Sequence, residues 1–333
     1  TLFCFVLACH ALPASVRERS ARRLIALCTP ALVIGLPYLA WKISYYGHVL
    51  PNTFRAKVGF TPAVLARGIR YALDAAGGLP LVAAVAVVAP LWLLFPGRDS
   101  RPWLLLAGVA SYLAYVIAIG GDVFPAYRLL IVVLPLAALL SQYLLASLAS
   151  TGRGGRAFAL ALAAAAVFGF AYQNFWSPRV RILDEAIGED ALGKFRAVGL
   201  ELKRQLPHDA LVAYSGGGVI PFSSELPFLD TLGLTDAHIA TRPVRELGKG
   251  IPGHEKGDGQ YVFSRQPHVV IFTGIPVSSF EAFFTGDREL VAIPAFAQAY
   301  ERRTLTVPFK PHGGPAEVKI PVPLYVRRDV GAF

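Results

Sequence analysis

Uncharged apolar runs close to the ~20 residues needed to cross a bilayer recur through the first half of the chain. Residues 1–16 form the tail of one such run, and residues 24–41, 75–97, 102–121, 129–152 and 157–178 form the others. The pattern predicts five full spans and one partial. Pro30, Pro37, Pro90 and Pro135 fall inside these runs, which membrane helices tolerate better than soluble ones. After residue 173 the pattern changes. Leu192, Phe195, Val198, Leu202 and Leu206 keep helical spacing until Pro207 stops them. Residues 211–214, 227–230 and 268–273 read as short buried strands, residues 233–236 open a short helix, and residues 259–265 are helical. Residues 299–307 and 318–326 read as later strands, the second on an edge because it contains Pro321 and Pro323.

Arginines orient the runs. Arg17, Arg19, Arg22 and Arg23 lie in one connection, Arg98 and Arg101 in the next but one, and Arg153 and Arg156 in the next but one again. Basic short connections mark the cytoplasmic side. Residues 44–74, residues 120–128 and everything after about 173 then face outward. The expected architecture is a polytopic α-helical membrane bundle over residues 1–173 plus a C-terminal extracytoplasmic α/β domain over residues 174–333.

Composition supports the division. The chain is 54% hydrophobic and 16% charged, against roughly a quarter charged for soluble domains. Residues 1–173 carry 14 Lys and Arg against 4 Asp and Glu, whereas residues 174–333 carry 18 of each. The basic excess therefore lies in the apolar half, which favours anionic lipid as a partner and argues against nucleic acid. The 3 cysteines all fall in apolar runs and read as small buried hydrophobes. The chain starts within an apolar run and contains no Met, so it reads as the C-terminal part of a longer membrane protein.

One outer loop departs from the charge pattern. Residues 44–74 hold Arg55, Lys57, Arg67 and Arg70 against Asp74 alone. Either short-loop statistics leak here, or the cations are kept for a phosphate, which needs several converging donors. Thr61-Pro62 marks the start of an amphipathic helix lying on the membrane surface. At residues 120–128 the sequence places Asp122 and Arg128 at the ends of successive helices. Asp122 either caps and pairs with Arg128 or does chemistry at the membrane edge.

Other motifs fail their own requirements. Gly216-Gly217-Gly218 lacks the spacing of a dinucleotide loop, and Pro221 stands where its helix should begin. His254-Glu255-Lys256-Gly257-Asp258 starts like a zinc-protease motif, but Asp258 stands where a second His is needed. No metal site follows. The Pro252–Lys256 loop is either a solvated turn or a sugar-binding loop. Ser215 and Ser223 lack the elbow of a serine hydrolase.

Tyr45–Lys57, Gly120–Arg128, Asp230–Asp236 and Pro252–Lys256 occur in the order found in certain integral-membrane glycosyltransferases. The chain resembles the GT-C superfamily, and most closely proteins similar to the mycobacterial terminal arabinofuranosyltransferase. The resemblance implies an inverting enzyme of the bacterial cytoplasmic membrane. It would transfer a sugar from a polyprenyl-phosphate donor to a cell-envelope glycan or glycolipid on the outer face. A divalent cation is compatible with such enzymes, and their general base usually lies in a first outer loop that this sequence does not contain. Cations stabilise a leaving phosphate, which assigns Asn52, Arg55, Lys57 and Arg128 to the donor and gives Asp122 a supporting role. Asp230, Asp236, His254, Glu255 and Lys256 would meet the acceptor. The competing expectation is a non-catalytic, membrane-anchored glycan-binding or assembly protein.

Overall fold

The computed structural model describes residues 21–78, 101–175, 189–216, 218–244, 247–274, 277–314 and 316–330. The expected partial span at residues 1–16, and all but the first four residues of the span expected at 75–97, lie outside the described residues. The chain divides into two units, Thr1–Pro51 with Val64–Val180, and Asn52–Ala63 with Arg181–Phe333.

In the first unit, α1 (Ala21–Pro30) and α2 (Leu36–Tyr46) are joined by a single π-turn, Ala31–Gly35. Pro30 and Pro37 bracket that turn, and each removes an N–H from the helical ladder. α2 stops at Gly47, which takes φ +72° and returns its N–H to the Ile43 carbonyl. The helix expected from Thr61-Pro62 is α4 (Pro62–Gly78). It packs on α5 (Arg101–Ala118) at Gly68, where a Cβ would fall on the Ile117 backbone.

The run expected at residues 129–152 begins as a 3-10 segment, Pro125–Val133, and continues as α6 (Leu134–Ala149). Pro135 lacks the N–H that would close an α-turn onto Ile131, so the tighter entry leaves that bond unneeded. α7 (Arg153–Phe175) follows. Among the described residues, two helical stretches, Tyr127–Ala149 and Arg153–Tyr172, are long and apolar enough to cross a membrane. On α7, Phe158, Leu160, Val167 and Phe168 are all more than half exposed. Among the described residues of this unit, buried side chains gather in small clusters, one around Val109, Val133, Ala137 and Leu140 and another around Ala75, Val116 and Leu130.

The second unit is a three-layer sandwich around a mixed sheet. Its helices and strands are α3 (Asn52–Lys57), α8 (Glu189–Gln205), β1 (Val212–Tyr214), α9 (Val219–Ser224), β2 (Phe228–Asp230), α10 (Ala237–Thr241), α11 (Gly259–Ser264), β3 (Val269–Thr273), β4 (Ser278–Ser279), α12 (Thr285–Val291), α13 (Pro294–Ala299), β5 (Tyr300–Phe309) and β6 (Val318–Arg327). Strand order is β2-β1-β3-β6-β5, with β1 parallel to both β2 and β3 and the β3–β6 and β6–β5 pairs antiparallel. β4 adds a short antiparallel pairing to β3.

Side chains alternate across the sheet with period two. Val212, Tyr214, Val269 and Ile271 join Val198, Leu202 and Leu206 of α8 on one face. Ala213, Val270 and Phe272 join Ile239, Val262 and Leu290 on the other. Burial on both faces explains why these strands read as continuous apolar runs.

Three features depart from expectation. β6 is interior, pairing with β3 through Tyr325 and Val326. Pro321 and Pro323 sit in the half of β6 that runs beyond β3 and pairs only with β5, so their missing donors cost no ladder bond there. α9 forms where Pro221 was read as a helix breaker; proline in a first turn removes an N–H that has no helical acceptor. The third departure is α3 and the residues after it, expected with the bundle, which belong to the α/β unit. α3 packs against α10, the Thr61 hydroxyl donates to the Leu247 carbonyl at 2.9 Å, and the Lys57 methylenes lie over Gly253.

Gly199 marks the tightest approach of α8 to α9. A Cβ there would stand 2.7 Å from the Ile220 carbonyl oxygen and 2.7 Å from the Ser223 Cβ. Helix propensity alone favours Gly199→Ala by ~1 kcal/mol, whereas overpacking costs ~1–3 kcal/mol. Packing prevails because the obstructing atoms include backbone. Gly199→Ala is expected to lower the unfolding midpoint in denaturant titrations followed by circular dichroism; a raised midpoint would contradict this close packing.

Candidate functional sites

In the second unit the loops above the sheet are shaped by carboxylates. Asp230 ends β2, is buried, and accepts from the Leu232 N–H at 2.9 Å, the Thr235 N–H at 2.7 Å and the Thr235 hydroxyl. Gly233 in that turn adopts φ +81°, and a Cβ there would meet the Ala240 nitrogen at 2.6 Å. Asp236 caps α10 through the Ile239 N–H and accepts from the Tyr261 hydroxyl, each at 3.0 Å. Glu255 is buried, and its Oε1 accepts from the N–H groups of Gly248 and Gly250 at 2.7 and 2.8 Å. Lys256 is also buried; its ammonium donates to the Ala240 carbonyl at 2.6 Å, and burial pushes its pKa down. Asp230, Asp236, Glu255 and Lys256, all expected to meet an acceptor, thus use these atoms to build the loops.

A polar chain missed by sequence reasoning joins α10, α11 and α12. Asp258 caps α11 through the Tyr261 N–H at 2.9 Å and meets His238 Nε2 at 3.0 Å. The half-exposed His238 ring stacks on Tyr261 with centroids 4.1 Å apart. Burial pushes the Asp258 carboxyl up, but its bonds to Tyr261 and His238 and the charge of Arg242 outweigh that and hold it below the ordinary value. Arg242 also pairs with Glu289 at 2.6 Å and donates to the Gly257 carbonyl. The helix at residues 259–265 was expected from the sequence, but the partner of Asp258 on α10, His238, lies 20 positions away and leaves no spacing signal.

A groove opens beside this network. One cavity of about 550 Å³ is lined by Lys249, Ile251, His254, Glu255, Phe283 and Arg288, among others. A second of about 510 Å³ shares Ile251, Phe283 and Phe284 and reaches Thr273 and Gly274 at the end of β3. β1 has parallel neighbours on both sides, so the groove lies at the carboxyl ends of strands near a topological switch point, where open α/β sheets bind ligands. His254 stacks on Phe284 at 5.2 Å. Its Nδ1 lies 3.1 Å from the Pro252 carbonyl, an acceptor, which places the proton on Nδ1. Phe283 is 59% exposed and offers a free aromatic face. The Ser215 and Thr273 hydroxyls pair with each other at 2.5 Å, and the Thr273 N–H donates to Ser215. Among the described residues no group of three or more His, Cys, Asp or Glu side chains is placed to hold a metal ion.

The first unit holds Asp122 and Arg128. Gly120 and Gly121 take φ +82° and +72°, and a Cβ at Gly121 would strike the Tyr71 ring at 2.6 Å. Arg67 Nε donates to the Gly120 carbonyl at 3.2 Å. The turn thus sets Asp122 with its side chain 5% exposed, bonded to the Val123 N–H at 2.9 Å and to Arg128. The Arg128 guanidinium lies 4.0 Å from the centre of the Phe124 ring. Capping and pairing, one of the two readings open for Asp122, describe its bonds here. The expected donor set is divided: Asn52, Arg55 and Lys57 belong to the second unit and Arg128 to the first.

A family described as a domain of unknown function, DUF8728, matches residues 183–318, within the second unit. No curated protein and no solved structure matches the chain.

Asp287 provides a pH test of this unit. It is buried, accepts from the Phe284 N–H at 3.2 Å, and burial pushes its pKa up to about 6. Between about 4 and 6 the folded state holds this proton more tightly than the unfolded chain, so stability falls as pH rises through that window. Asp287→Asn should abolish this contribution, visible as a flatter pH dependence of the unfolding free energy than in the parent protein. Parallel curves would refute the assignment.

Proposed function

We propose that the protein is a GT-C-type inverting glycosyltransferase of the bacterial cytoplasmic membrane. It moves a sugar from a polyprenyl-phosphate donor to a cell-envelope glycan or glycolipid, with the first unit a polytopic bundle and the second unit extracytoplasmic. The observation that carries this reading is the loop at residues 251–256. On one side Gly253 supports Lys57 of α3, and on the other Ile251, His254 and Glu255 line the groove. A helix bearing two cations and an aromatic-faced cavity therefore share one loop of one unit. Among the described residues neither Arg55 nor Lys57 has a carboxylate partner, which leaves both charges for an anion. The exposed apolar face of α7 suits lipid.

In this reaction the acceptor hydroxyl oxygen bonds the anomeric carbon as the bond to the donor phosphate breaks. The polyprenyl phosphate leaves with the electron pair, and Arg55 and Lys57 stabilise the charge it gains. Phe283 presents the apolar face of an acceptor sugar ring with a stacking surface. The proton of the acceptor hydroxyl passes to the general-base carboxylate of the first outer loop that the resemblance implies, and Asp122, paired with Arg128 before the donor binds, keeps a supporting role. A membrane-anchored glycan-binding protein is the second reading, favoured by that same pairing, which leaves no carboxylate of the 120–128 turn free to act as base.

Radiolabelled transfer from defined polyprenyl-phosphate sugars, with the full-length enzyme including its first outer loop in nanodiscs, separates the two. Charge-assisted bonds contribute ~1.5–3 kcal/mol each, so Arg55→Gln with Lys57→Gln should lower kcat/KM for the donor by about 100-fold or more. Phe283→Ala should instead raise the acceptor KM by about tenfold. Unchanged donor kinetics in the double variant would sink the phosphate role, and binding of glycan without any transfer would favour the second reading.

A further inference from the structure

The Tyr71 hydroxyl on α4 is the unexplained group of the first unit. It is buried and makes no hydrogen bond. The Tyr71 ring packs against Gly121, one residue before Asp122, which brings the hydroxyl into the neighbourhood of the Asp122–Arg128 pair. A buried hydroxyl without a partner costs ~1–3 kcal/mol, so such groups call for an explanation. The surroundings are built closely around it. The Gly120-Gly121 turn admits the ring only because it has no Cβ there. Tyr127, whose ring meets Tyr71 edge-on at 5.6 Å, is held at φ +50°, a conformation uncommon for a residue with a side chain.

The Asp122–Arg128 pair is lopsided. Arg128's side chain is 48% exposed while that of Asp122 is 5% exposed. Arg128 can turn to an anion in solvent or at a lipid surface, but Asp122 cannot follow it. A buried carboxylate stripped of its cation is costly. Tyr71 has the one thing Asp122 would then need, a donor with no other use.

We propose that Tyr71 is a positioning residue that relieves Asp122 when Arg128 leaves to bind the phosphate of a lipid-linked donor. The Arg128 guanidinium exchanges the Asp122 carboxylate for phosphate oxygens, and the Tyr71 O–H then donates to Asp122. No covalent bond changes and no proton is transferred. The inference rests on the glycosyltransferase reading for the identity of the anion, while the exchange itself rests on the geometry of this turn.

Tyr71→Phe in the full chain tests it, because it removes only the hydroxyl. Binding of a polyprenyl monophosphate in nanodiscs is measured beside the uncharged polyprenol and inorganic phosphate, together with thermal unfolding without ligand. The expected result is a raised Tm, since a buried orphan has gone, with polyprenyl-monophosphate affinity weakened about tenfold. In an Asp122→Asn background, where Arg128 is already released, the same substitution should leave affinity unchanged. Unaltered affinity of Tyr71→Phe in the parent background would overturn the exchange, as would a lowered Tm, which would mean that the hydroxyl has a structural partner. Inorganic phosphate competing as well as the lipid phosphate would overturn the assignment to a lipid-linked donor. Failure of the parent protein to bind any of the three would instead remove the glycosyltransferase reading beneath it.

Discussion

The second unit depends on the exchange of water for backbone N–H groups around buried carboxylates. An ionised carboxylate taken out of water needs its lone pairs satisfied. Asp230 and Glu255 obtain this from amides of their own loops, so the loops can close over a sheet buried on both faces. The same bonds decide what these residues can do. An acid whose oxygens hold a turn in shape is poorly placed to grip a ligand, and the groove is left to His254, Phe283, Lys249 and Arg288.

Unsatisfied charge follows the opposite logic. Arg55 and Lys57 lie on a six-residue helix that packs by Ala56, which is buried, and their own charges meet no acid among the described residues. Lys256 is buried, with a backbone carbonyl in place of a carboxylate. On the glycosyltransferase reading, the donor phosphate would complete Arg55 and Lys57, whereas Lys256 is already engaged within its own loops.

Much of the α/β unit was legible because its signals are local. The apolar spacing of Val198, Leu202 and Leu206 located α8, and the runs through Val212 and Val269 located the inner strands. Asp236 and Asp258 stand one residue before helices they cap. What could not be read was pairing at a distance. β6 was placed at an edge because proline rules describe a residue's own donors, and nothing in the sequence tells how far a neighbouring strand extends. Residues 281–291 were passed over because Phe283 and Arg288 belong to no motif; they gain meaning only where the chain brings them opposite His254. Tyr71 carries no signal in the sequence, since a hydroxyl's lack of a partner is a property of the packed structure alone.

The hydroxyl of Thr61 and the carbonyl of Leu247 are separated by 186 positions, and this has a consequence for how the molecule is made. α3 leaves the ribosome long before α10 and the sheet that receive it. Until then the helix is a basic, weakly apolar segment with nothing to dock on, too short to hold its shape alone. The α/β unit can collapse around its sheet from contiguous chain, but one piece must be recruited from a much earlier segment, across the apolar residues between. Completion of the cation-bearing face is therefore a late, long-range event in biogenesis, and it comes only after the chain downstream has been synthesised.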